Sequence, residues 1–310
     1  MSVNVQYKQI KELCGEFYSE MDKLITDLFC DSDIENAKYF DDLKEYLFGS
    51  SKQIRSCMVF LFAQNLGYTL KDKDIIKLAT AVEIIHNATL IHDDIIDETD
   101  LRRGNKTIHK KYNSKLGVIS GDFLLSVAFS LLVDLPVCVM KNFSVCLKLL
   151  CSGEIEQYFS LKKTTTIEKY LNKSEKKTSA LFVSAIKSLF DMKSQSLSSE
   201  AENFALHFGR AFQIRDDLKN ILLKQDNKPV LNDIEQGIYT APVIFAYGEN
   251  KELSGVLSET IMQESMTNIP VCKTKELLKQ EINGAVMSLA LFKQNKYLDA
   301  IKILCEMLDD

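Results

Sequence analysis

Apolar residues recur along most of this chain at i, i+3, i+4 and i+7, and alternating stretches are few. That period predicts amphipathic helices over residues 12–29 and 54–66. It predicts a third over 74–96 that is apolar nearly all round, through Ile75, Leu78, Ala79, Val82, Ile85, Leu90 and Ile91. A helix of that kind belongs at the centre of a bundle. The pattern continues over 116–133, 137–159, 167–190 and 199–223, and the tail 274–308 reads as two more helices. Loops fall at 30–38, 97–106, 191–197 and 224–234, and segment 239–270 gives no clear boundary. Pro occurs only at 136, 229, 242 and 270. Without a Gly/Ser linker, a low-complexity tract or a repeat, the expectation is an all-α chain, one domain over 1–310.

Composition narrows the class. The chain has 310 residues, 46% hydrophobic and 26% charged, enough for a large core. A net charge of −5 gives no electrostatic case for a nucleic-acid partner. Eight Cys occur without paired CxxC motifs, and residues 1–11 have no apolar core of a secretory leader. The expectation is a reduced, cytoplasmic protein with Cys as small apolar residues. No run approaches the roughly 18 uninterrupted apolar residues that span a bilayer.

Two acidic clusters stand out. Asp93, Asp94 and Asp97 share one face at the end of the most apolar helix, at about 100° of rotation per residue. Asp216, Asp217 and Asn220 repeat the spacing. Carboxylates this close repel unless something positive sits among them. A hard divalent cation is the usual remedy, and Mg²⁺ takes one or two carboxylates plus phosphate oxygens and water. Arg102-Arg103-Gly104 follows the first cluster on a loop, and Arg grips phosphate in a bidentate fork. Two such faces set opposite each other would hold a diphosphate. Taken singly, each feature has a plainer reading: a solvated acidic face, surface charges at Lys52 and Arg55, a core histidine at His86.

The motifs together resemble the trans-type isoprenyl diphosphate synthases of the polyprenyl synthetase family. The first reads Leu90-Ile91-His92-Asp93-Asp94-Ile95-Ile96-Asp97, then Leu101-Arg102-Arg103-Gly104. The second reads Gly209-Arg210-Ala211-Phe212-Gln213-Ile214-Arg215-Asp216-Asp217. Between them stand Ser120-Gly121-Asp122-Phe123-Leu124-Leu125, Gly153-Glu154-Ile155-Glu156-Gln157 and Lys177-Thr178-Ser179-Ala180-Leu181-Phe182. The match runs in the family's order from about residue 48 to the segment 297–308.

The resemblance implies an antiparallel helix bundle of the isoprenoid synthase type with a central cavity. It implies Mg²⁺ on Asp93, Asp94, Asp97, Asp216 and Asp217, and an allylic diphosphate held by Arg102, Lys177 and Lys228. Lys52, Arg55, His86 and Arg103 would bind isopentenyl diphosphate. Thr178 and Gln213 would line the allylic cation, and with Asp93, Asp94, Lys177 and Asp216 they form the implied catalytic set. Glu154 and Gln157 are read only as braces of the core. Ala88 and Thr89 stand where short-chain members place aromatic rings, which points to a long product near octaprenyl length (C40) for a quinone side chain. Ile85, Phe123 or Phe129 would then make a deeper floor. Ala88 and Thr89 serving only close helix packing, a geranylgeranyl (C20) product, and a subunit of a heterodimeric synthase stay open. The family implies a homodimer, with peripheral membrane contact for product release. Two departures stand out: Asn220 where many members have Asp, and Ile238 after Gly237 where the family usually has Lys.

Overall fold

The computed structural model describes residues 3–30, 36–49, 51–194, 196–222 and 232–309. The described chain is helical almost throughout, and it divides into two compact units. The first holds Met1–Lys141, Asp191–Ser194 and Lys293–Ile301; the second holds Asn142–Phe190, Gln195–Phe292 and Lys302–Asp310.

In the first unit, α1 (Val3–Leu13) and α2 (Gly15–Cys30) replace the single predicted helix over 12–29. The break falls at Cys14, which is fully buried with its Sγ 3.6 Å from Cys57 Sγ, and Gly15 is a poor helix former. Helix α3 (Ala37–Phe48) was not predicted; Asn36 caps it by accepting from the Tyr39 amide at 3.1 Å. Its buried stripe, Tyr39, Leu43 and Leu47, repeats at i, i+4 and i+8, a helical period the sequence reading passed over. Helices α4 (Ile54–Asn65) and α5 (Lys73–Ile96) fall where the periodicity placed them. Asp72 caps α5, and burial on nearly every side of it follows from its all-round apolar sequence. Beyond it come a hairpin of β1 (Leu101–Arg102) and β2 (Asn105–Lys106), the short α6 (Ile108–Lys111), and α7 (Ser114–Val133).

Gly117 and Gly121, one helical turn apart, let α7 approach α5 closely. A Cβ on Gly121 would lie 2.2 Å from His92 Nε2, and one on Gly117 2.8 Å from the Ile95 side chain. By length and composition α7 is apolar enough to cross a membrane, which the count of uninterrupted apolar residues missed. Its face through Ser120, Gly121, Leu124, Ala128 and Leu131 is buried, so it is also what a core helix would be.

The second unit takes up most of α8 (Val137–Phe159), then α9 (Ile167–Ser174), a π-helical turn (Glu175–Ser179) and α10 (Ala180–Met192). The expected continuous helix over 167–190 therefore carries one wide turn. Helix α11 (Ser198–Leu222) packs on α15 (Asn268–Ser288), where His207 Nδ1 meets Glu281 Oε2 at 2.7 Å. Segment 239–270, unassigned from sequence, holds α13 (Ala241–Tyr247) and α14 (Ser258–Ser265), and α12 (Asn232–Glu235) precedes them. Ile234, Tyr239, Val243, Leu253 and Ile261 form their shared core. Helix α16 (Lys296–Glu306) closes the chain.

Gly209 of α11 lies against the π turn: a Cβ there would sit 2.5 Å from the backbone Cα of Ser179. A backbone neighbour cannot rotate away. Gly209→Ala is expected to cost about 1–3 kcal/mol, as overpacking does, read as a lowered denaturant midpoint with an unchanged m-value.

Candidate active site

Each unit carries one of the two acidic clusters. In the first unit the cluster ends α5, and the Asp97 amide closes the last turn on the Asp93 carbonyl. Three carboxylates thus gather at the negative end of the helix dipole, where cations are favoured. Asp93 and Asp97 are half-buried, while Asp94 is 1% exposed. Both Asp94 oxygens are taken: Oδ2 accepts from the Tyr46 hydroxyl at 2.7 Å, and Oδ1 accepts from Arg102 Nε at 2.8 Å and Nη2 at 2.5 Å. Asp94, expected among the metal ligands, is thus paired on both oxygens in this structure. It is a buried anchor, because a charge taken out of water has to be paired where it lies.

The hairpin supplies that pairing. Arg103 (φ 53) and Gly104 (φ 84) both adopt left-handed conformations at its tip, as the tightest two-residue turns require. Arg102 is thereby turned toward Asp94. Burial opposes the Arg102 charge, but the Asp94 bond together with the Asp94, Tyr46 and Asp93 charges outweighs it and raises its pKa. Arg103 is lowered, by burial first and then by Arg102. A cavity of about 230 Å³ opens beside the hairpin, lined by Tyr46, Arg102, Arg103, Lys106 and Lys111, with Asp42 and Glu45.

Arg55 and His86 are brought together, Nη1 to Nε2 at 3.1 Å. The His86 pKa is driven well below its usual value, by burial first and then by Arg55, Arg103 and Arg102. The neutral ring is an acceptor that orients the Arg55 fork. Lys52 is exposed, with its Nζ 5.9 Å from the Tyr7 ring centroid. Ala88 is fully buried, and the Thr89 hydroxyl donates to the His86 carbonyl at 2.8 Å. Phe123 packs against Phe29 and Phe40, with centroids at 6.1 and 5.9 Å.

The second unit repeats the device. Asp216 is exposed and Asp217 is buried. Asp217 Oδ2 accepts from the Tyr170 hydroxyl at 2.5 Å, and Oδ1 accepts from Gln213 Nε2 at 2.9 Å. Burial pushes the Asp217 pKa up to about 7 against those two bonds. Gln213 accepts from the Thr178 hydroxyl at 2.6 Å, so Thr178, Gln213, Asp217 and Tyr170 form one connected chain. The π turn carries both Lys177 and Thr178; such wide turns recur at functional sites. Lys177 Nζ is held by Glu154 at 2.7 Å and Gln157 at 3.0 Å. These two residues, read from sequence as braces of the core, thus hold the Lys177 ammonium. Asn220 is half-buried, and Lys228 lies outside the described residues.

Among the described residues, no three His, Cys, Asp or Glu side chains close a metal cage. The donors present are hard carboxylate oxygens in small groups, which fits Mg²⁺, an ion that keeps water and phosphate in its shell. Sequence reading missed Tyr46 and Tyr170. Tyrosine carries no charge and has no fixed spacing to its aspartate, so only the order of neighbouring motifs could have pointed to them.

Against known proteins, the profile of the polyprenyl synthetase family matches residues 37–277. The chain belongs to the polyprenyl synthetase family. A prenyl transferase of Cyanidium caldarium is 36% identical over 229 residues, 72% of this chain and 71% of that protein. Solanesyl diphosphate synthase 1, chloroplastic, of Arabidopsis thaliana is 30% identical over 278 residues, 83% and 68% of the two chains. The crystal structure of a polyprenyl synthase from Caulobacter crescentus CB15, complexed with calcium and isoprenyl diphosphate, superposes with a TM-score of 0.85 at 24% identity. The match covers 98% of this chain and 97% of that one, so the isoprenoid synthase fold is shared. Membership makes this a prenyltransferase-family enzyme.

Tyr46→Phe and Tyr170→Phe each leave a buried carboxylate oxygen without its donor. Each is expected to lose about 1–3 kcal/mol in chemical denaturation, and a loss below measurement error would refute the anchoring role. His86 gives a pH signature. The folded protein refuses a proton that the unfolded chain accepts below about pH 6.5. Stability from this group is therefore full above that pH and falls as pH drops, by up to about 1.4 kcal/mol per unit. His86→Gln should flatten this part of the profile, and nitrogen NMR should show a neutral His86 ring at pH 6.5.

Proposed function

We propose that the chain is a long-chain all-trans polyprenyl diphosphate synthase. It condenses an allylic diphosphate, farnesyl diphosphate in this reading, with successive isopentenyl diphosphates. The product lies near octaprenyl length (C40) and serves as a quinone side chain. The observation that carries the reading is the repeated pair: an accessible aspartate beside a buried one pinned by a tyrosine hydroxyl, once in each unit. The two units are read as one catalytic domain over 1–310.

Asp93, Asp97 and Asp216 would hold Mg²⁺, while Asp94 and Asp217 fix the backbone that presents them. When bound, Mg²⁺ would neutralise the charge that grows on the leaving diphosphate. Arg102 and Lys177 grip that diphosphate, and Lys177 is pre-oriented by Glu154 and Gln157. As the allylic C–O bond breaks, the linked oxygen dipoles of Thr178 and Gln213 face the developing carbocation. Lys52, Arg55 and Arg103 hold isopentenyl diphosphate, with His86 orienting Arg55. Its double bond forms the new C–C bond, and the released diphosphate takes the proton that is lost.

Three further readings go with this one. Val118, Ile119 and Val133 on α7 leave large apolar side chains more than 40% exposed, and we assign that face of the first unit to a homodimer contact. Free cysteines at all eight positions suit a reducing cytoplasm. Small residues at 88 and 89 leave room for a growing tail, with the Phe29, Phe40 and Phe123 cluster as the deeper floor, and the finished chain leaves through peripheral membrane contact.

Purified protein with farnesyl diphosphate, isopentenyl diphosphate and Mg²⁺ is expected to incorporate label into a long-chain product, and EDTA should abolish the reaction. No incorporation at high enzyme concentration would overturn the proposal. Ala88→Phe and Thr89→Phe should both shorten the product by at least one isoprene unit; unchanged length in both, with folding intact, would remove the tunnel assignment.

A further inference from the structure

Ile238 cannot bind phosphate, yet it lines a small pocket of the second unit together with Lys173, Gln157, Lys163 and Thr165. The backbone around Ile238 is fixed: its amide donates to the Asp233 carbonyl at 2.7 Å, and the neighbouring Gly237 carbonyl accepts from the Lys162 amide at 2.8 Å. Gly237 itself sits at φ 78 against Lys162, where a Cβ would clash at 2.7 Å, so this loop cannot easily be re-aimed. With Ile238 apolar and held in place, the charge lining that pocket comes from lysines elsewhere in the chain.

Lys173 is in place to supply it. It lies in the last turn of α9, four residues before Lys177, and is half-buried rather than solvated. Lys177 is held by Glu154 at 2.7 Å and by Gln157 at 3.0 Å. Among the described residues, no carboxylate reaches ion-pair distance of Lys173. Asp217, Glu154 and Asp233 act on it only as more distant charges. Burial and then the Lys177 charge both disfavour its protonated form, lowering its pKa. Two lysines a turn apart, one of them with no ion-pair partner among the described residues, make a good receptor for a multivalent anion.

We propose that Lys173 is a further diphosphate-binding residue, which contacts the allylic diphosphate beside Lys177 and makes up for the apolar side chain at Ile238. The inference rests on the prenyltransferase reading of this site and adds a residue to it.

The test uses the full chain and four variants: Lys173→Met, Lys173→Arg, Ile238→Lys, and Lys173→Met combined with Ile238→Lys. Lys173→Met is expected to raise KM for farnesyl diphosphate about tenfold, the value of one charge-assisted bond, with KM for isopentenyl diphosphate unchanged. Lys173→Arg should keep most of the affinity, and Ile238→Lys should restore it in the Met background. Calorimetric titration with inorganic pyrophosphate and Mg²⁺ should show the same loss and rescue without turnover. Equal pyrophosphate affinity in wild type and Lys173→Met, with matching melting temperatures, overturns the inference. So does a loss that Ile238→Lys fails to restore. Should Lys173→Met fold poorly, Lys173→Gln takes its place under the same criteria. A wild type that binds pyrophosphate in a Lys173-dependent way but never turns over would sink the proposed reaction and leave this assignment standing.

Discussion

A carboxylate taken out of water must be neutralised where it stands, and that requirement organises the acidic cluster of each unit. Asp94 and Asp217 sit in the protein interior, and each has both oxygens bonded to side chains: Tyr46, Arg102 and Tyr170 come from other elements, and Gln213 lies one turn earlier on α11. In each case one donor is a tyrosine hydroxyl. The partners are obligatory, because leaving either oxygen bare would cost more than the bond itself contributes. Tyr46 ties α3 to the end of α5, and Tyr170 ties α9 to α11. The neighbouring aspartates are then presented from a backbone that cannot drift.

The same pairing explains why α5 can end in three acidic groups. Helix C-termini carry partial negative charge, so Asp93, Asp94 and Asp97 are placed against the dipole. Arg102 offsets one charge inside the protein. It reaches Asp94 because Arg103 and Gly104 accept left-handed backbone at the hairpin tip. The remaining acidic charge at Asp93 and Asp97 leaves this helix end negative.

The second unit solves a related problem with a wide turn in place of a hairpin. One π turn between α9 and α10 carries Lys177 toward Glu154 and Gln157 and Thr178 toward Gln213. Gly209 leaves the space that lets α11 lie against that turn. Cation, hydroxyl and amide are therefore positioned by helix packing and need no mobile loop to arrive.

The periodicity of apolar residues was enough to place α4, α5, α7, α8 and α11, since helices buried on one or all sides must repeat near 3.6 residues. Motif order was enough to assign the family, and the paired aspartates were visible because charge at the end of an apolar helix is conspicuous. The break at Cys14 and the π turn were not legible, because each depends on what packs against it, whereas α3 was passed over although Tyr39, Leu43 and Leu47 repeat at helical spacing. Nor could spacing tell that within each Asp-Asp pair one side chain faces outward and the other is pinned inside. That division is made by Tyr46, Arg102, Tyr170 and Gln213, of which Tyr46 stands 48 residues from its aspartate and Tyr170 47. Local sequence sets which groups can ionise; the folded neighbours alone decide which of them stay accessible to a ligand.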